Sequence, residues 1–169
     1  EYLAAHIRTK AAENKNTLVV SAGDLVGASP LLSALFHDEP TIEAMNRIGL
    51  DINAVGNHEF DEGAAELLRL QRGGCHPADG CLDGTPFDGA DFRFLAANVV
   101  SRRTGKPFFP PYAIRKVGGV KIGFIGMTLE GTPEMVPPSV SAALEFRDEA
   151  ETANRYVKHL QRRGVQAIV

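Results

Sequence analysis

A chain of 169 residues has the length of one ordinary domain and is long enough to bury a sizeable core. Its 44% hydrophobic and 23% charged residues are typical of globular proteins and argue against disordered, collagen-like and fibrous classes. The net charge of -3 gives no basic field to attract polymeric nucleic acid, and no apolar run approaches the roughly 20 residues of a membrane span.

Hydrophobic spacing predicts alternating helices and strands in the first half of the chain. Apolar residues at helical spacing predict a helix over residues 1–14, and a short apolar run predicts a buried strand over residues 17–22. Helices are then predicted at residues 31–36, 41–48 and 62–71. Between the last two helices, a strand is predicted at residues 51–55 and a loop at residues 56–61.

The second half begins with residues 72–91, whose Gly, Asp and Pro content predicts an irregular loop. Gly118-Gly119 then predicts the two-residue turn of an antiparallel hairpin. The two hairpin strands are predicted at residues 112–117 and 120–127, and further strands at residues 92–99 and 165–169. A loop is predicted at residues 132–138 and a helix at residues 148–163. This order predicts an α/β fold with mixed sheets and flanking helices, with no linker that divides the chain.

Two loops place metal-capable side chains directly after predicted strands. They are Gly23-Asp24 and the run Gly56-Asn57-His58-Glu59-Phe60-Asp61. In open α/β sheets the carboxyl ends of the strands form the crevice where ligands bind, so we expect the two loops to be neighbours. Each loop also has a structural interpretation, because Gly-Asp and Gly-Asn are common turns. Because both loops occur in the same chain and each follows a predicted strand, the pair favours a functional site over two ordinary turns.

The side chains in these loops suit hard divalent cations. A carboxylate such as Asp24 can bridge two cations, and the amide oxygen of Asn57 is a neutral ligand. If His58 lies beside such a site, Asp61 can accept a hydrogen bond from its ring and fix the tautomer. The structural alternative is a satisfied polar histidine in a turn.

These residues carry a family resemblance. The runs at residues 19–24 and 53–63 resemble the second and third signature blocks of calcineurin-like metallophosphoesterases, in the form found in 5'-nucleotidases. The resemblance extends over nearly the whole chain, including the predicted strands at residues 95–99 and 120–128. It implies a metallophosphoesterase-type α/β sandwich that hydrolyses nucleoside 5'-monophosphates.

The resemblance also implies roles for the loop residues. Asp24 would bridge two divalent metal ions, which are Zn, Mn, Mg or Ca, and Asn57 would bind the second ion. His58 would stabilise the transferring phosphoryl group and protonate the leaving oxygen, with Asp61 as its partner. The implied partner is a small nucleotide substrate, and the implied location is extracellular, periplasmic or cell-wall associated.

The chain departs from the family pattern at both ends. The first signature block, Asp-x-His, does not occur in the sequence and would precede Glu1, while the later His and Gly-His-x-His blocks would follow Val169. A separate nucleoside-binding domain would lie further on. We therefore expect residues 1–169 to be an incomplete N-terminal catalytic domain of a longer protein, inactive by itself. The remaining histidines are expected to be solvated or to cap helices, namely His6, His37, His76 and His159.

Cys75 and Cys81 stand together in an otherwise cysteine-free sequence, and three interpretations compete. A zinc site lacks a fourth ligand, because only these two residues and His76 offer themselves and Cys75 and His76 are adjacent. Two free thiols suit a cytosolic protein. A local disulfide is preferred, since Gly and Pro allow the loop to close and the family resemblance indicates a location outside the cytoplasm.

The same residues are compatible with other functions. A related hydrolase could act on cyclic nucleotides, UDP-sugars or other phosphate and sulfur esters. A protein of another class would be a non-catalytic binding or interaction module built on the same fold. Nucleotide binding by a glycine-rich loop without metal is weakly supported, because residues 23–27 are not followed by Gly-Lys-Ser/Thr.

Overall fold

The computed structural model describes residues 1–169 and contains helices and strands in alternation. The α-helices are α1 (Tyr2–Glu13), α2 (Leu31–Ala34), α3 (Glu39–Ile48), α4 (Ala64–Arg72), α5 (Pro138–Ala143) and α6 (Glu149–Arg162). The strands are β1 (Val20–Ser21), β2 (Ile52–Ala54), β3 (Arg93–Leu95), β4 (Val99–Ser101), β5 (Tyr112–Val117), β6 (Val120–Ile125), β7 (Leu144–Phe146) and β8 (Ala167–Ile168). Single-turn 3-10 helices lie at His58–Phe60 and Thr132–Glu134.

The strands form three small sheets of mixed direction. Strands β1, β2 and β3 are parallel and lie in that order. Strands β5 and β6 form an antiparallel hairpin, and β8 adds to β6 in the parallel direction. Strands β4 and β7 pair antiparallel on their own. The arrangement confirms the predicted α/β class with mixed sheets and flanking helices.

The parallel sheet is covered on both faces because alternate side chains of its strands point to opposite sides. On one face, Ile52 and Leu95 pack against Ala113 and Phe124 of the hairpin. On the other face, Phe94 joins a core of 17 buried residues that includes side chains from α3 and α4. Each fully buried Leu, Ile or Phe contributes roughly 1.5–3 kcal/mol of transfer free energy. The sheet is therefore held from both sides.

The hairpin approaches the sheet closely at Gly126. A Cβ atom at this position would overlap the backbone and side chain of Leu95, so only glycine fits here. Across the contact, the Ala97 amide donates to the Gly126 carbonyl at 2.7 Å. This close approach connects the hairpin to the end of β3.

Several predicted elements are confirmed with small changes at their ends. The helices predicted at residues 1–14, 62–71 and 148–163 correspond to α1, α4 and α6. Gly118 and Gly119 form the hairpin turn with φ of +56° and +87°, as a two-residue turn between twisted strands requires.

The single strand predicted at residues 92–99 is wrong, because the chain forms two strands in two sheets. Asn98 is fully buried between them, and its side-chain amide donates to the carbonyls of Thr128 at 2.6 Å and Arg147 at 2.9 Å. Its side-chain oxygen accepts from the Thr128 amide at 2.9 Å. These long-range bonds turn the chain from β3 into β4, which an apolar run cannot reveal.

The loop predicted at residues 132–138 is also only partly right. It contains the 3-10 turn Thr132–Glu134 and leads into α5 and β7, neither of which was predicted. These elements have six and three residues, so they are too short to show a helical or strand period.

The predicted strand at residues 17–22 forms regular pairing only at Val20–Ser21. One residue before it, the Val19 amide donates to the side-chain carboxylate of Asp51 at 2.9 Å rather than to a strand backbone. The Val19 carbonyl accepts from the Asp51 amide at 2.8 Å. The Asp51 side chain thus replaces a backbone acceptor in the hydrogen bonding between this segment and the start of β2.

The helix predicted from residue 41 begins earlier, at Glu39, after two residues in the left-handed conformation. His37 and Asp38 have φ of +48° and +60°. The buried Asp38 carboxylate accepts from the Gly27 amide at 2.9 Å and from the Ser33 hydroxyl at 2.7 Å. This turn is thereby bonded to the loop that follows β1. None of the helices combines the length and apolar character that crossing a bilayer requires.

Candidate active site

The two predicted loops leave the carboxyl ends of adjacent parallel strands. Strands β1 and β2 pair in register from Val20 opposite Ile52, which places the two following loops side by side. Asp24 Oδ1 accepts from the His58 amide at 3.3 Å. The structure thus brings the Asp24 carboxylate to the backbone of the second loop, as the sequence predicted.

Glycine is required where the loops meet. A Cβ atom at Gly23 would lie 2.5 Å from the Gly56 nitrogen, and one at Gly56 would lie 2.8 Å from the Asp24 nitrogen and would also overlap the Asp24 carboxylate. Gly27 packs in the same way against His58 and Asp61. Any larger side chain at these positions would separate the two loops.

Asp24 itself has an unusual backbone. Its φ is +56°, in the left-handed region that non-glycine residues rarely occupy. Aspartate tolerates this conformation better than most residues, but it still costs of the order of 1–3 kcal/mol. Such cost is commonly found where function fixes the geometry of a side chain. Here it leaves the carboxylate exposed to solvent beside the second loop.

Glu59 joins the two loops, although no role was predicted for this residue. Its side chain accepts hydrogen bonds from the backbone amides of Asp24 at 2.9 Å, Leu25 at 3.1 Å and Gly56 at 2.8 Å. The side-chain amide of Asn53 donates a fourth bond at 3.1 Å. Glu59 is only 3% exposed. Its position inside the Gly56–Asp61 motif was the one signal in the sequence.

Two opposing effects act on the Glu59 carboxyl. Burial favours the neutral form and raises its pKa, while the bonds from Leu25, Asp24, Asn53 and Gly56 favour the charged form. Burial prevails, so the pKa of Glu59 is raised above its usual value. The neighbouring Asn53 is fully buried, and its side-chain oxygen has no partner in the chain. Packing of the loops therefore imposes an electrostatic cost at this point.

The predicted pairing of His58 with Asp61 is present. His58 Nδ1 lies 2.7 Å from Asp61 Oδ2, and the His58 side chain is 40% exposed. The bond to Asp61 raises the pKa of His58, slight burial opposes the change, and the charges of Asp61, Asp24 and Glu59 add to it. With Nδ1 held by Asp61, the other ring nitrogen is left for a ligand. The arrangement favours an imidazolium that can donate a proton.

The groups gathered here fit part of a divalent metal site. Asp24 offers an exposed carboxylate and Asn57 a half-buried amide, and both are oxygen ligands that hard cations accept. Gly56 leaves the space that the Asp24 carboxylate occupies. Clusters of three or more His, Cys, Asp or Glu ligand atoms lie elsewhere in the chain. Residues 1–169 thus supply two candidate ligands and a candidate proton donor at this place.

The prediction for the two cysteines is confirmed, whereas the prediction for two of the other histidines is not. Cys75 and Cys81 form a disulfide, which confirms the preferred interpretation. The expectation that His37 and His76 are solvated or cap helices is wrong, because their rings stack at 3.8 Å and their side chains are 19% and 18% exposed. His159 lies 3.0 Å from the Tyr112 hydroxyl.

Comparison with known proteins places this site in context. No protein-family model matches the chain. It is 46% identical over 169 residues to Endonuclease YhcR of Bacillus subtilis, covering 99% of this chain and 14% of that protein. It is 38% identical over 161 residues to the cell wall protein Lmo0130 of Listeria monocytogenes, covering 94% and 20%. It is 34% identical over 151 residues to the 5'-nucleotidase of Vibrio parahaemolyticus, covering 89% and 24%.

Solved structures agree with these relatives. The 5'-nucleotidase precursor of Thermus thermophilus superposes with a TM-score of 0.74 at 29% identity, covering 98% of this chain and 29% of that one. The calcineurin-like phosphoesterase YfkN of Bacillus subtilis gives 0.75 at 27% identity, covering 98% and 50%. The chain belongs to the 5'-nucleotidase type of calcineurin-like metallophosphoesterases.

Membership of the 5'-nucleotidase type confirms the resemblance and the fold class drawn from the sequence. Proteins of this family generally use divalent metal ions. The chain spans only 14% to 24% of the length of the three relatives described above. Family membership thus agrees with the observed fold and with the two loops. It does not by itself assign the activity of a whole protein to this chain.

Proposed function

We propose that residues 1–169 are part of the N-terminal catalytic domain of a longer protein, here called the intact protein, that hydrolyses nucleoside 5'-monophosphates. The observation that carries the proposal is the junction of the two loops. Asp24 Oδ1 lies 3.3 Å from the His58 amide, and the buried Glu59 binds backbone amides of both loops. In this proposal the junction presents the Asp24 carboxylate, the Asn57 amide and the His58 imidazole to the metal ions and the substrate.

In this proposal Asp24 bridges two divalent ions and Asn57 binds the second ion, whose identity is Zn, Mn, Mg or Ca. When bound, such ions would supply an activated water as the nucleophile and would neutralise the charge on the phosphoryl oxygens. The charge of Glu59 is directed inward to the backbone amides, which leaves Asp24 as the exposed carboxylate of the junction.

His58 acts as the donor in the same proposal. Its raised pKa favours the protonated ring, which donates a hydrogen bond to the transferring phosphoryl group. The same proton then passes to the leaving ribose oxygen. Asp61 holds the ring by the 2.7 Å bond to Nδ1, so that Nε2 is the donating atom. Asp61 therefore positions His58 and stabilises its charge.

The remaining ligands would come from segments outside residues 1–169, as would a nucleoside-binding domain. A site with only Asp24 and Asn57 binds metal weakly, because affinity depends on several ligands held at once. We therefore propose that residues 1–169 are inactive alone. The disulfide between Cys75 and Cys81 supports a location outside the cytoplasm or at the cell envelope. A relative named a cell wall protein supports the same location.

A second candidate is cleavage of phosphodiester bonds in nucleic acid. The relative named Endonuclease YhcR, at 46% identity, is the observation that favours it. The net charge of -3 speaks against it, since proteins that bind nucleic acid usually present a basic surface. Cyclic nucleotides and UDP-sugars are further candidate substrates for the same chemistry.

Product analysis of substrates incubated with the intact protein tests the proposal, by chromatography for nucleotides and nucleosides and by gel electrophoresis for DNA. The assay compares a nucleoside 5'-monophosphate, a 2',3'-cyclic nucleotide, a UDP-sugar, and single- and double-stranded DNA. Hydrolysis of the nucleoside 5'-monophosphate should dominate, should stop after chelation and should return when a divalent ion is added. Cleavage of DNA without nucleotide hydrolysis would favour the second candidate. Activity that survives complete chelation would contradict metal-dependent chemistry at this site.

A further inference from the structure

A second group of metal-capable side chains lies outside the Asp24–Asn57 site. It contains His37 before α3, Glu62 after the 3-10 turn, and His76 and Asp79 from the disulfide loop. These four residues, called the histidine cluster below, come from three separate segments of the chain. The proposed function uses none of them.

The ligand atoms of the cluster converge on a small volume. Asp79 Oδ2 lies 2.8 Å from His37 Nε2 and 3.2 Å from His76 Nδ1. One ligand atom from each of these three residues lies within 4.8 Å of the others. Around a tetrahedral zinc ion with bonds of about 2.0–2.1 Å, neighbouring ligand atoms stand about 3.3 Å apart. The distance from Asp79 Oδ2 to each histidine nitrogen is therefore near the value required around one ion.

The second nitrogen of His37 is also engaged. His37 Nδ1 lies 3.0 Å from Glu62 Oε2. A carboxylate that accepts from one nitrogen of a ligating imidazole fixes the tautomer and orients the other nitrogen toward the metal. Glu62 is placed to do this for His37, leaving Nε2 as the ligand atom.

The disulfide loop holds the other two ligands in place. Cys75 and Cys81 close the loop, and His76 and Gly80 exchange backbone hydrogen bonds of 3.1 Å and 2.9 Å. His76 and Asp79 are therefore carried on a constrained hairpin. The rings of His37 and His76 are near parallel at 13°, and they would tilt apart to aim both nitrogens at one ion. Rotation of the two side chains would supply that tilt and would release His76 Nδ1 from the Asp79 amide, which donates to it at 3.2 Å.

The charges around His37 favour a cation. Burial opposes a positive charge on this ring, yet the bonds to Glu62 and Asp79 together outweigh it and raise the pKa of His37. Two carboxylates, those of Glu62 and Asp79, thus face the His37 ring. A divalent ion would neutralise both carboxylates at once.

We infer that the histidine cluster is a zinc-type divalent metal site, separate from the catalytic ions. His37, His76 and Asp79 are its ligands, Glu62 orients His37, and a water completes the tetrahedron. Two imidazole nitrogens and one carboxylate oxygen suit zinc better than magnesium or calcium, which prefer oxygen ligands alone. The bound ion connects the disulfide loop to the segment before α3 and, through His37, to Glu62, which follows the positioning residue Asp61.

Zinc titration of the intact protein tests this site, with a chromophoric chelator as competitor and no reductant. His37→Asn and His76→Asn each remove one ligand, and asparagine also tolerates the left-handed backbone at position 37. Each should weaken one zinc equivalent by at least about 100-fold, and Glu62→Gln should weaken the same equivalent about 10–100-fold. His6→Asn, an exposed histidine outside the cluster, is the matched control and should bind zinc as wild type does.

Circular dichroism of each variant shows whether it is folded, and Asp79→Asn provides a further variant if His37→Asn does not fold. X-ray absorption at the zinc edge should show two imidazoles on the added ion. Equal zinc stoichiometry and affinity in wild type and in all cluster variants would overturn the inference. Zinc binding that appears only after reduction would also overturn it, because cysteine thiolates would then be the ligands.

Discussion

Replacing His58 by Ala is expected to lower the turnover of the intact protein on nucleoside 5'-monophosphates by about 100-fold or more. This is the scale reported for removing one donor that stabilises the charge of a transition state. The bond from Asp61 raises the pKa of His58, which keeps the ring protonated for this task. Steady-state kinetics should show the loss in kcat, with little change in metal content.

The pH profile separates this role from a structural one. Asp61→Asn removes the interaction that raises the pKa of His58, so the ring should lose its proton at lower pH than in wild type. The alkaline limb of the kcat profile should therefore shift to lower pH, whereas His58→Ala should remove that limb. Near-normal turnover of His58→Ala would exclude His58 from the chemistry.

Replacing Glu59 by Ala is expected to lower the free energy of unfolding by about 3 kcal/mol or more. The change leaves three backbone amides and the Asn53 amide without their common acceptor, and each unsatisfied buried donor costs about 1–3 kcal/mol. Urea unfolding followed by circular dichroism measures the effect. Glu59→Gln should lie between Ala and wild type, because it keeps one acceptor oxygen and avoids burying a charge.

Glu134→Ala is the matched control, since Glu134 also lies in a 3-10 turn but is exposed. Its effect should stay within about 0.5 kcal/mol, as for most surface substitutions. Loss of Glu59 should also separate the two loops and weaken metal binding. Wild-type stability and metal affinity in Glu59→Ala would show that Glu59 does not hold the junction.

Local signals explain which parts of the fold the sequence predicted. Periodicity identified long amphipathic helices such as Glu149–Arg162, and Gly118-Gly119 identified the hairpin. The division of the strand at residues 92–99 depends on Asn98, which bonds to Thr128 and Arg147 far along the chain. No local pattern reveals such partners. The short elements Pro138–Ala143 and Leu144–Phe146 were missed because six and three residues are too few for a repeated helical or strand pattern to be recognised.

The site was predicted in part for a similar reason. Asp24 and His58 each follow a strand, and parallel pairing of those strands brings their loops together. Glu59 stands in the same motif, but its inward direction depends on the tight loop packing. The meeting of His37 with His76 depends on how the disulfide loop folds back. Contacts between segments distant in sequence explain both omissions.

Metal content of the intact protein tests most directly whether Asp24 bridges ions at the junction of the loops. The wild-type protein and Asp24→Asn are purified in parallel and equilibrated with the activating metal. Their metal content per chain is then measured by inductively coupled plasma mass spectrometry. Asn keeps the shape of the side chain but removes the charge, so Asp24→Asn should lose the ions of this site and retain the zinc proposed at His37. Full occupancy in Asp24→Asn, with stoichiometry equal to wild type, would contradict the bridging role.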